Sequence, residues 1–232
     1  MNLANILFKF SLKFKRVVQS LYFCCIQKPI WKLSYNSGSN SFVCDGKLRN
    51  CRIHISGHGH KIKIMRGVIM NDVLIEVSGN GHSLFIGENA RFGYGGRIRI
   101  EDNNNTVKLL EGSHFVNVFF SIADNDNSIM VGKDCLFSAQ VIIRASDGHS
   151  ILDEENKRCN HGQPVIIGDR VWIGYGVTVL KGSNIGNDSI VGTLSLLPGK
   201  CYPNHSIIGG NPGKTLKQGY HWCYNRISDT EC

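Results

Sequence analysis

Proline and long apolar runs are scarce in this sequence. It holds 5 Pro in 232 residues, and no apolar run approaches the roughly 18 residues that a membrane-spanning helix needs. The 9 Cys are an odd number, form no C-x-x-C pair and follow no recognisable signal peptide, because basic residues interrupt the apolar N-terminal stretch. An integral membrane protein is therefore excluded, and we expect a reduced, cytoplasmic protein. A hydrophobic content of 42% also excludes a disordered chain.

Acidic residues are absent from the first 44 positions, which carry six Lys or Arg. The remaining 20 basic and 18 acidic residues leave only +2 of the net charge of +8 for the rest of the chain. A nucleic-acid-binding protein would spread its basic surface across the folded body. We therefore expect no nucleic-acid partner.

The basic N-terminal segment has the apolar spacing of an amphipathic helix within residues 1–34. Such a helix packs on its own body or on sister subunits, or it lies peripherally on the inner face of an anionic membrane with its Lys and Arg at the headgroups. The pattern leaves both alternatives open. The apolar positions, at steps of three and four, are Leu3, Leu7, Phe10, Phe14, Val17 and Leu21.

Glycine and asparagine, in contrast, are abundant, since the chain holds 26 Gly and a similar number of Asn, and they accompany internal repeats. From residue 167 the sequence divides into sixes: I-G-D-R-V-W, I-G-Y-G-V-T, V-L-K-G-S-N, I-G-N-D-S-I and V-G-T-L-S-L. An aliphatic residue every six positions fits neither a helix nor a plain alternating strand, so each six is predicted to be a short strand plus a turn. Stacked turns would then bury one aliphatic column on each face.

A longer repeat precedes the strict sixes. Gly/Asn-rich strings that lead into alternating strands recur at nearly equal intervals, starting at Ser56, Ser78, Glu101, Ala123 and Ala145. Residues that tolerate the left-handed conformation suit a tight corner that recurs once per turn. The sequence predicts an all-β solenoid of roughly eight turns.

The strict sixes resemble those of the hexapeptide-repeat acyltransferases, whose fold is a left-handed parallel β-helix. Three stretches make the likeness closer: S-D-G-H-S-I-L-D at 146–153, N-H-G-Q-P-V-I-I-G-D-R-V-W-I-G at 160–174 and G-G-N-P-G-K at 209–214. They are similar to the branch that O-acetylates sugars of bacterial surface polysaccharides, sialic-acid O-acetyltransferases included. We therefore expect a left-handed parallel β-helix over residues 35–215.

The rest of the organisation follows from the same likeness. We expect an N-terminal helix at 1–34, an active-site loop at 150–163 that interrupts the β-helix, and a C-terminal tail at 216–232. The resemblance implies that the protein is an acetyl-CoA-dependent O-acetyltransferase that acts on a glycan or its sugar precursor, as a homotrimer with each site between two subunits. Two alternatives stay open: acetylation of a small soluble acceptor, and a non-catalytic scaffold or glycan-binding solenoid.

The catalytic candidate is His149, which lies in S-D-G-H where the fifth long repeat breaks off into the loop. Neutral imidazole can accept the proton of a sugar hydroxyl near neutral pH, so His149 is expected to be the general base. Asp147 is a candidate to orient the imidazole or to contact the substrate, or it caps its own backbone in a turn. Asp153 and Asn160, within the loop, are candidates for binding sugar hydroxyls.

Coenzyme binding is assigned to the later turns. Trp172 occupies the last place of a six, which points outward or into a corner. There an indole suits a sugar ring or the pantetheine arm, or it fills a subunit interface. Small residues would let that arm run along the coils, and lysines would meet the coenzyme phosphates. Where the family usually has Thr-Lys after the last strict turn, this sequence reads L-P-G-K at 197–200. The coenzyme candidates are Trp172, Gly174, Gly192, Thr193, Lys200 and Lys214.

Candidate metal-binding and nucleotide-binding motifs do not have the residue spacing that such sites require. His58 and His60 lie near His54 and Cys51, but their counterparts one repeat later are Asn80 and His82, which identifies them as corner residues. We therefore predict no metal site. The G-x-x-x-x-G-K-[ST] phosphate loop would need glycine at position 208, which is isoleucine.

Overall fold

The described part of the protein consists of β-strands, turns and loops. A computed structural model describes residues 33–34 and 39–228, and every regular element within those residues is a strand. Of the predicted N-terminal helix at 1–34, residues 33–34 form a strand instead, and the rest lies outside the described residues. Within those residues, no helix is long and apolar enough to cross a membrane.

The strands, in chain order, are β1 (Leu33–Ser34), β2 (Ser41–Cys44), β3 (Lys47–Arg49), β4 (Arg52–His58), β5 (Lys61–Ile64), β6 (Ile69–Asn71), β7 (Val73–Asn80), β8 (Ser83–Ile86), β9 (Arg91–Phe92), β10 (Gly96–Ile100), β11 (Thr106–Leu109), β12 (His114–Phe115), β13 (Val118–Ile122), β14 (Ser128–Val131), β15 (Leu136–Phe137), β16 (Val141–Arg144), β17 (Val165–Ile167), β18 (Trp172–Ile173), β19 (Thr178–Val179), β20 (Asn184–Ile185), β21 (Ile190–Val191), β22 (Leu196–Leu197), β23 (Cys201–Tyr202), β24 (Ser206–Gly210) and β25 (Gly213–Gln218).

Three sheets form the faces of a parallel solenoid. Sheet A runs in the order β1-β4-β7-β10-β13-β16-β19-β22, sheet B in the order β2-β5-β8-β11-β14-β17-β20-β23, and sheet C from β3 through every third strand to β24. Strand β25 adds to sheet C by antiparallel pairing with β24. Eight parallel strands on each face make eight turns, which confirms the predicted number. We call the connections AB, BC and CA corners after the sheets they join.

The pairing register follows the sequence repeats. In sheet C, Ile173 pairs with Val191, three sixes further along the chain. Earlier turns are longer than three sixes, as the pairing of Phe92 with Phe115 shows. One step is longer still, because Phe137 pairs with Ile173 and the interval between them contains the loop. The loop thus interrupts the solenoid without changing its register.

From β3 to β24, every strand contributes at least one buried residue to the interior. The residues that open the sixes are all at most 2% exposed, which confirms the predicted aliphatic column. The middle turns add an aromatic cluster in which the ring centroid of Phe115 lies 4.7 Å from that of Phe92 and 4.9 Å from that of Phe137. The column residues are Ile167, Ile173, Val179, Ile185 and Val191.

The AB corners use the left-handed conformation in register. Gly59, Gly81, Asn104 and Asp126 occupy equivalent places on four successive turns, with φ of 74°, 71°, 57° and 57°. Glycine adopts this conformation freely, and Asn and Asp tolerate it better than other side chains. The Gly/Asn-rich strings are therefore corners, as predicted.

The two histidines beside those corners belong to a buried ladder. His60 and His82 stack with ring centroids 5.1 Å apart, and each is at most 1% exposed. Nδ1 of His60 accepts from the backbone N–H of His82 over 3.2 Å, and Nδ1 of His82 accepts from that of Asn105 over 3.1 Å. Each Nε2 lies 3.0 Å from the carbonyl oxygen four residues earlier, so it must carry the proton.

Asparagine continues the same ladder on the next turns. Oδ1 of Asn105 accepts from the backbone N–H of Asn127 over 2.8 Å, and its amide donates to the Glu101 carbonyl over 2.6 Å. Histidine and asparagine thus play the same corner role. Within the described residues, no three His, Cys, Asp or Glu side chains are grouped so that they could hold a metal ion.

The C-terminal segment folds back over the solenoid. Strand β25 continues to Gln218, so the boundary predicted at residue 216 lies inside a strand. The chain then reverses along the BC corners, where the backbone N–H of Tyr220 donates to the His205 carbonyl over 3.0 Å. Farther along, Nε1 of Trp222 donates to the Arg170 carbonyl over 2.6 Å.

Candidate functional site

His149 lies at the AB corner between β16 and β17, where the chain leaves the solenoid. Its side chain is exposed, and its carbonyl accepts a hydrogen bond from the amide of Asn160 over 2.7 Å. Gly148, with φ of 82°, makes the bend just before it. The structure therefore presents one solvent-accessible imidazole on a backbone that is fixed at its own residue.

Asn160 ties the two ends of the loop together. It is only 7% exposed, and Nδ2 donates to both the His149 carbonyl and Oδ2 of Asp147, the latter over 2.8 Å. Oδ1 accepts from the backbone N–H of Ile151 over 2.8 Å. These bonds use the polar atoms that were expected to meet a sugar, so the geometry supports a positioning role.

Asp147 pairs with a lysine that the sequence analysis missed. Nζ of Lys181, at the next AB corner, lies 2.5 Å from Oδ2 of Asp147 and 2.9 Å from the Asn160 carbonyl oxygen. Burial opposes ionisation of Asp147, but the hydrogen bonds from Lys181 and Asn160 outweigh it and lower the pKa of the carboxyl. Among the described residues, no hydrogen bond joins this carboxylate to the His149 imidazole.

A second ion pair holds the far end of the loop. The Arg158 guanidinium binds Asp124 with two hydrogen bonds, of 2.6 and 2.8 Å, and the backbone N–H of Gly162 donates to the same carboxylate over 2.7 Å. The Arg158 hydrogen bond is the main cause that lowers the pKa of Asp124. Bidentate geometry fixes direction as well as distance. The loop is thus anchored at both ends to neighbouring turns.

Asp153 lies at the exposed tip of the loop. Its Oδ1 accepts from the backbone N–H groups of Glu155 and Lys157, over 3.0 and 2.8 Å. The carboxylate therefore caps its own turn, and its role toward a sugar stays a prediction.

Trp172 lies on sheet C, away from the loop. It is 41% exposed, as predicted for the last place of a six, and its ring centroid lies 6.1 Å from that of Trp222. Trp222 was missed because the tail carries no hexapeptide pattern. The alternation of aromatic residues at 220, 222 and 224 was the available signal.

Gly174, Gly192 and Thr193 lie at successive CA corners, and the two glycines differ. A Cβ on Gly174 would lie 2.8 Å from the backbone nitrogen of Thr193, so close packing of the turns requires glycine there. A Cβ on Gly192 would meet nothing closer than 3.5 Å. Packing therefore does not demand glycine at 192.

The two lysines expected to meet coenzyme phosphates lie apart. Lys200 is exposed at the AB corner one turn beyond Lys181, while Lys214 is exposed on β25 at the edge of sheet C. Within one chain the structure therefore gathers two groups. Asp147, His149, Asp153, Asn160 and Lys200 lie at the AB corners and the loop, whereas Trp172, Gly174, Gly192, Thr193 and Lys214 lie on sheet C and at the CA corners.

The sequence is similar to those of known proteins over short stretches. The chain is 35% identical over 83 residues to a polysialic acid O-acetyltransferase of Escherichia coli O1:K1, covering 35% of this chain and 27% of that protein. It is 46% identical over 57 residues to the putative lipopolysaccharide biosynthesis O-acetyl transferase WbbJ of E. coli K12, covering 25% and 29%. The matches thus span less than a third of these relatives' lengths. No protein-family model matches the chain.

The fold likeness covers far more of the chain. The crystal structure of the polysialic acid O-acetyltransferase OatWY superposes with a TM-score of 0.77 at 25% identity, over 86% of this chain and 94% of that one. The solenoid is therefore a left-handed parallel β-helix, as the resemblance implied. In its motifs and in its fold, the chain is similar to the hexapeptide-repeat O-acetyltransferases of bacterial surface polysaccharides.

Proposed function

We propose that this protein transfers an acetyl group from acetyl-CoA to a sugar hydroxyl of a bacterial surface polysaccharide, a capsule or an O-antigen, or of its precursor. The likeness to two O-acetyltransferases in sequence and to a third in fold supports this activity. The observation that carries the proposal is the buried Asn160 amide, which fixes the backbone of an exposed histidine at the root of an inserted loop.

His149 acts as the general base in this proposal. Its neutral imidazole takes the proton of the sugar hydroxyl as the oxygen attacks the thioester carbonyl carbon. A carbon–oxygen bond forms, the carbon–sulfur bond breaks, and His149 gives its proton to the departing thiolate. Asn160 holds the main chain of the base, and Asp147 balances the charge of Lys181 beside it.

Acetyl-CoA supplies the activated acyl group, and its narrow pantetheine arm is proposed to lie along the CA corners. Gly192 leaves open space where the packing would accommodate a side chain, and Thr193 follows it on the surface. Trp172 offers an apolar face nearby on sheet C. Lys200 and Lys214 are the residues proposed to meet the phosphates as point charges.

A homotrimer with shared sites accounts for the separation of the two groups of residues. His149 lies at an AB corner, whereas Gly192 lies at a CA corner of the same chain. A site that uses both then draws them from neighbouring subunits. Mixing His149→Ala chains with Gly192→Trp chains should restore part of the activity, because some sites would receive both intact residues. A mixture as inactive as its components would contradict shared sites.

Peripheral contact with an anionic membrane is proposed for the basic N-terminal segment, in a protein that otherwise resides in the cytoplasm. Its charge placement supports this contact: six basic and no acidic residues precede Asp45. Flotation with anionic vesicles should capture the full chain at low salt and lose it as salt rises, because exposed charges are screened. Equal flotation of a chain without residues 1–28 would contradict the proposal.

The activity itself is tested with the host strain's surface polysaccharide. Mild alkali removes its O-acetyl groups, and the purified protein is then added with acetyl-CoA. We expect mass spectrometry of the repeat unit to show the addition of one acetyl group. Absence of transfer to this polymer and to its lipid-linked and soluble precursors would overturn the proposed function.

A further inference from the structure

We infer that the C-terminal segment 219–228 forms an aromatic track that binds several consecutive sugars of a linear glycan. This inference rests on the proposed function and deepens it, because it assigns the acceptor to the polymer class rather than to free sugars. The track consists of Tyr220, Trp222 and Tyr224, which alternate along the segment with His221 and Cys223.

The segment runs along the solenoid axis. The backbone N–H of Tyr220 donates to the carbonyl of His205, next to β24. The indole N–H of Trp222 donates to the carbonyl of Arg170, close to β18. The ring centroid of Tyr224 lies 6.1 Å from that of His114, on β12. In sheet C one strand lies between β24 and β18 and one lies between β18 and β12, so each pair is two inter-strand spacings apart. Neighbouring strands lie about 4.8 Å apart, so the three anchor points cover about 19 Å. The segment itself reaches at most about 14 Å between the Cα atoms of Tyr220 and Tyr224, and its side chains extend to the outer anchor points. That length suits a short run of consecutive pyranose rings.

The aromatic side chains remain available to a ligand. Tyr220 and Tyr224 are 46% and 69% exposed, although each already has an anchoring contact on the solenoid. Trp222 tilts against Trp172 with an angle of 50° between the rings, and Trp172 is itself 41% exposed. Exposed aromatic rings in a row present apolar faces, which suit the C–H faces of sugars.

A cavity of about 380 Å³ lies between the segment and the BC corners. Trp222 and Tyr224 form one side of it, and His114, Asp134 and Arg170 supply polar groups. Burial lowers the pKa of His114, so this imidazole is neutral near pH 7 and can both donate and accept a hydrogen bond. Apolar walls with a few polar groups are typical of a site for one sugar ring and its hydroxyls.

The track also connects to the proposed active site. Trp172, assigned to substrate and coenzyme, contacts Trp222 directly. A glycan on the track would therefore pass Trp172, and its distant sugars would contribute binding energy that a short acceptor lacks. KM for the acceptor should therefore fall as the glycan becomes longer.

The test compares long and short acceptors. The de-O-acetylated polysaccharide and its mono- to disaccharide fragments are assayed with the wild-type chain and with two triple variants. Tyr220→Ala, Trp222→Ala and Tyr224→Ala together should raise KM for the polymer about tenfold, the size of roughly one lost aromatic contact, with little change for the fragments. The matched Phe triple variant, which keeps the rings, should retain most of the affinity.

A second measurement reports binding without catalysis. Emission from Trp222, taken as the difference between the wild-type chain and its Trp222→Phe variant, should shift when the polymer is added and shift far less with the monosaccharide at equal sugar concentration. Equal KM values of the wild type and the Ala variant for the polymer would overturn the track. So would an Ala variant whose oligomeric state changes in sedimentation while its KM does not. Failure of acetyl transfer to every acceptor would instead overturn the proposed function, while the fluorescence shift would still test the track.

Discussion

The buried amide of Asn160 donates to the main-chain carbonyl of His149 across 2.7 Å, although residues 150–159 of the loop separate them in the sequence. This bond, with its partner to Asp147, closes the inserted loop on the turn from which it departs. The exposed imidazole therefore projects from a backbone that is held from inside the protein.

Asn160→Asp should test this closure, because it keeps the shape of the side chain and removes both donors. A carboxylate would then face Asp147 across a hydrogen-bond distance, and like charges repel. We expect kcat to fall with little change of KM, and stability to fall by about 1–3 kcal/mol. Steady-state kinetics and urea unfolding check both effects. An unchanged kcat in a folded variant would remove Asn160 from the positioning of His149.

Gly192→Ala should separate function from packing at the CA corner. A Cβ there would meet nothing closer than 3.5 Å, so the melting temperature should stay within about 2 °C of the wild type. KM for acetyl-CoA should rise, because the methyl group would occupy the surface assigned to pantetheine.

The matched control is Gly174→Ala, one turn earlier. Its Cβ would lie 2.8 Å from the Thr193 nitrogen, so this variant should lose stability instead. A Gly192→Ala protein with wild-type kinetics would contradict the coenzyme assignment.

His82→Asn should remove part of the acid sensitivity of the fold. Burial lowers the pKa of His82 below its usual 6.5, so the neutral ring stabilises the folded state fully above that value. This contribution is lost as the pH falls from there through the lowered pKa, because the unfolded state binds the proton more readily. Asparagine makes the equivalent ladder bonds at Asn105.

Urea unfolding near pH 8 and near pH 5 measures the difference, since these values bracket the usual histidine range. The wild type should lose more free energy of unfolding than His82→Asn between the two values. Identical losses would show that other groups cause the acid sensitivity.

Val179→Asp should prevent folding, since Val179 is fully buried in the column of the sixes. An unpaired carboxylate there should cost about 4 kcal/mol or more, and each turn supports the next. Thr178→Asp, at the adjacent half-exposed position, is the matched control and should fold. Soluble expression and circular dichroism distinguish the two variants. A folded Val179→Asp protein would mean that the register is wrong.

The repeats determined the solenoid because each six encodes one strand and one corner. The side chains of Ile167, Ile173 and Val179 therefore could be placed inside from the sequence, and the Gly/Asn-rich strings at the corners. The loop was recognised as the point where this periodicity breaks. Its closure was not, because the contact of Asp147 with Lys181 joins residues that no repeat relates.

The C-terminal segment shows the same limit. Its return along the BC corners depends on single contacts, such as Trp222 to Arg170, between residues far apart in sequence. Neither periodicity nor motif spacing encodes such contacts. The aromatic alternation at 220–224 was visible, but the surface it covers was not.

The rate of acetyl transfer by His149→Ala shows whether this histidine is the general base. The control is His161→Ala, which removes another exposed histidine of the same loop region. Both variants should fold, because both side chains are exposed. We expect a loss of about 10² to 10⁴ in kcat for His149→Ala, the range for a general base, and near wild-type rates for His161→Ala. A His149→Ala protein that keeps more than about a tenth of the rate would exclude His149 as the general base, since a general base contributes at least about a hundredfold.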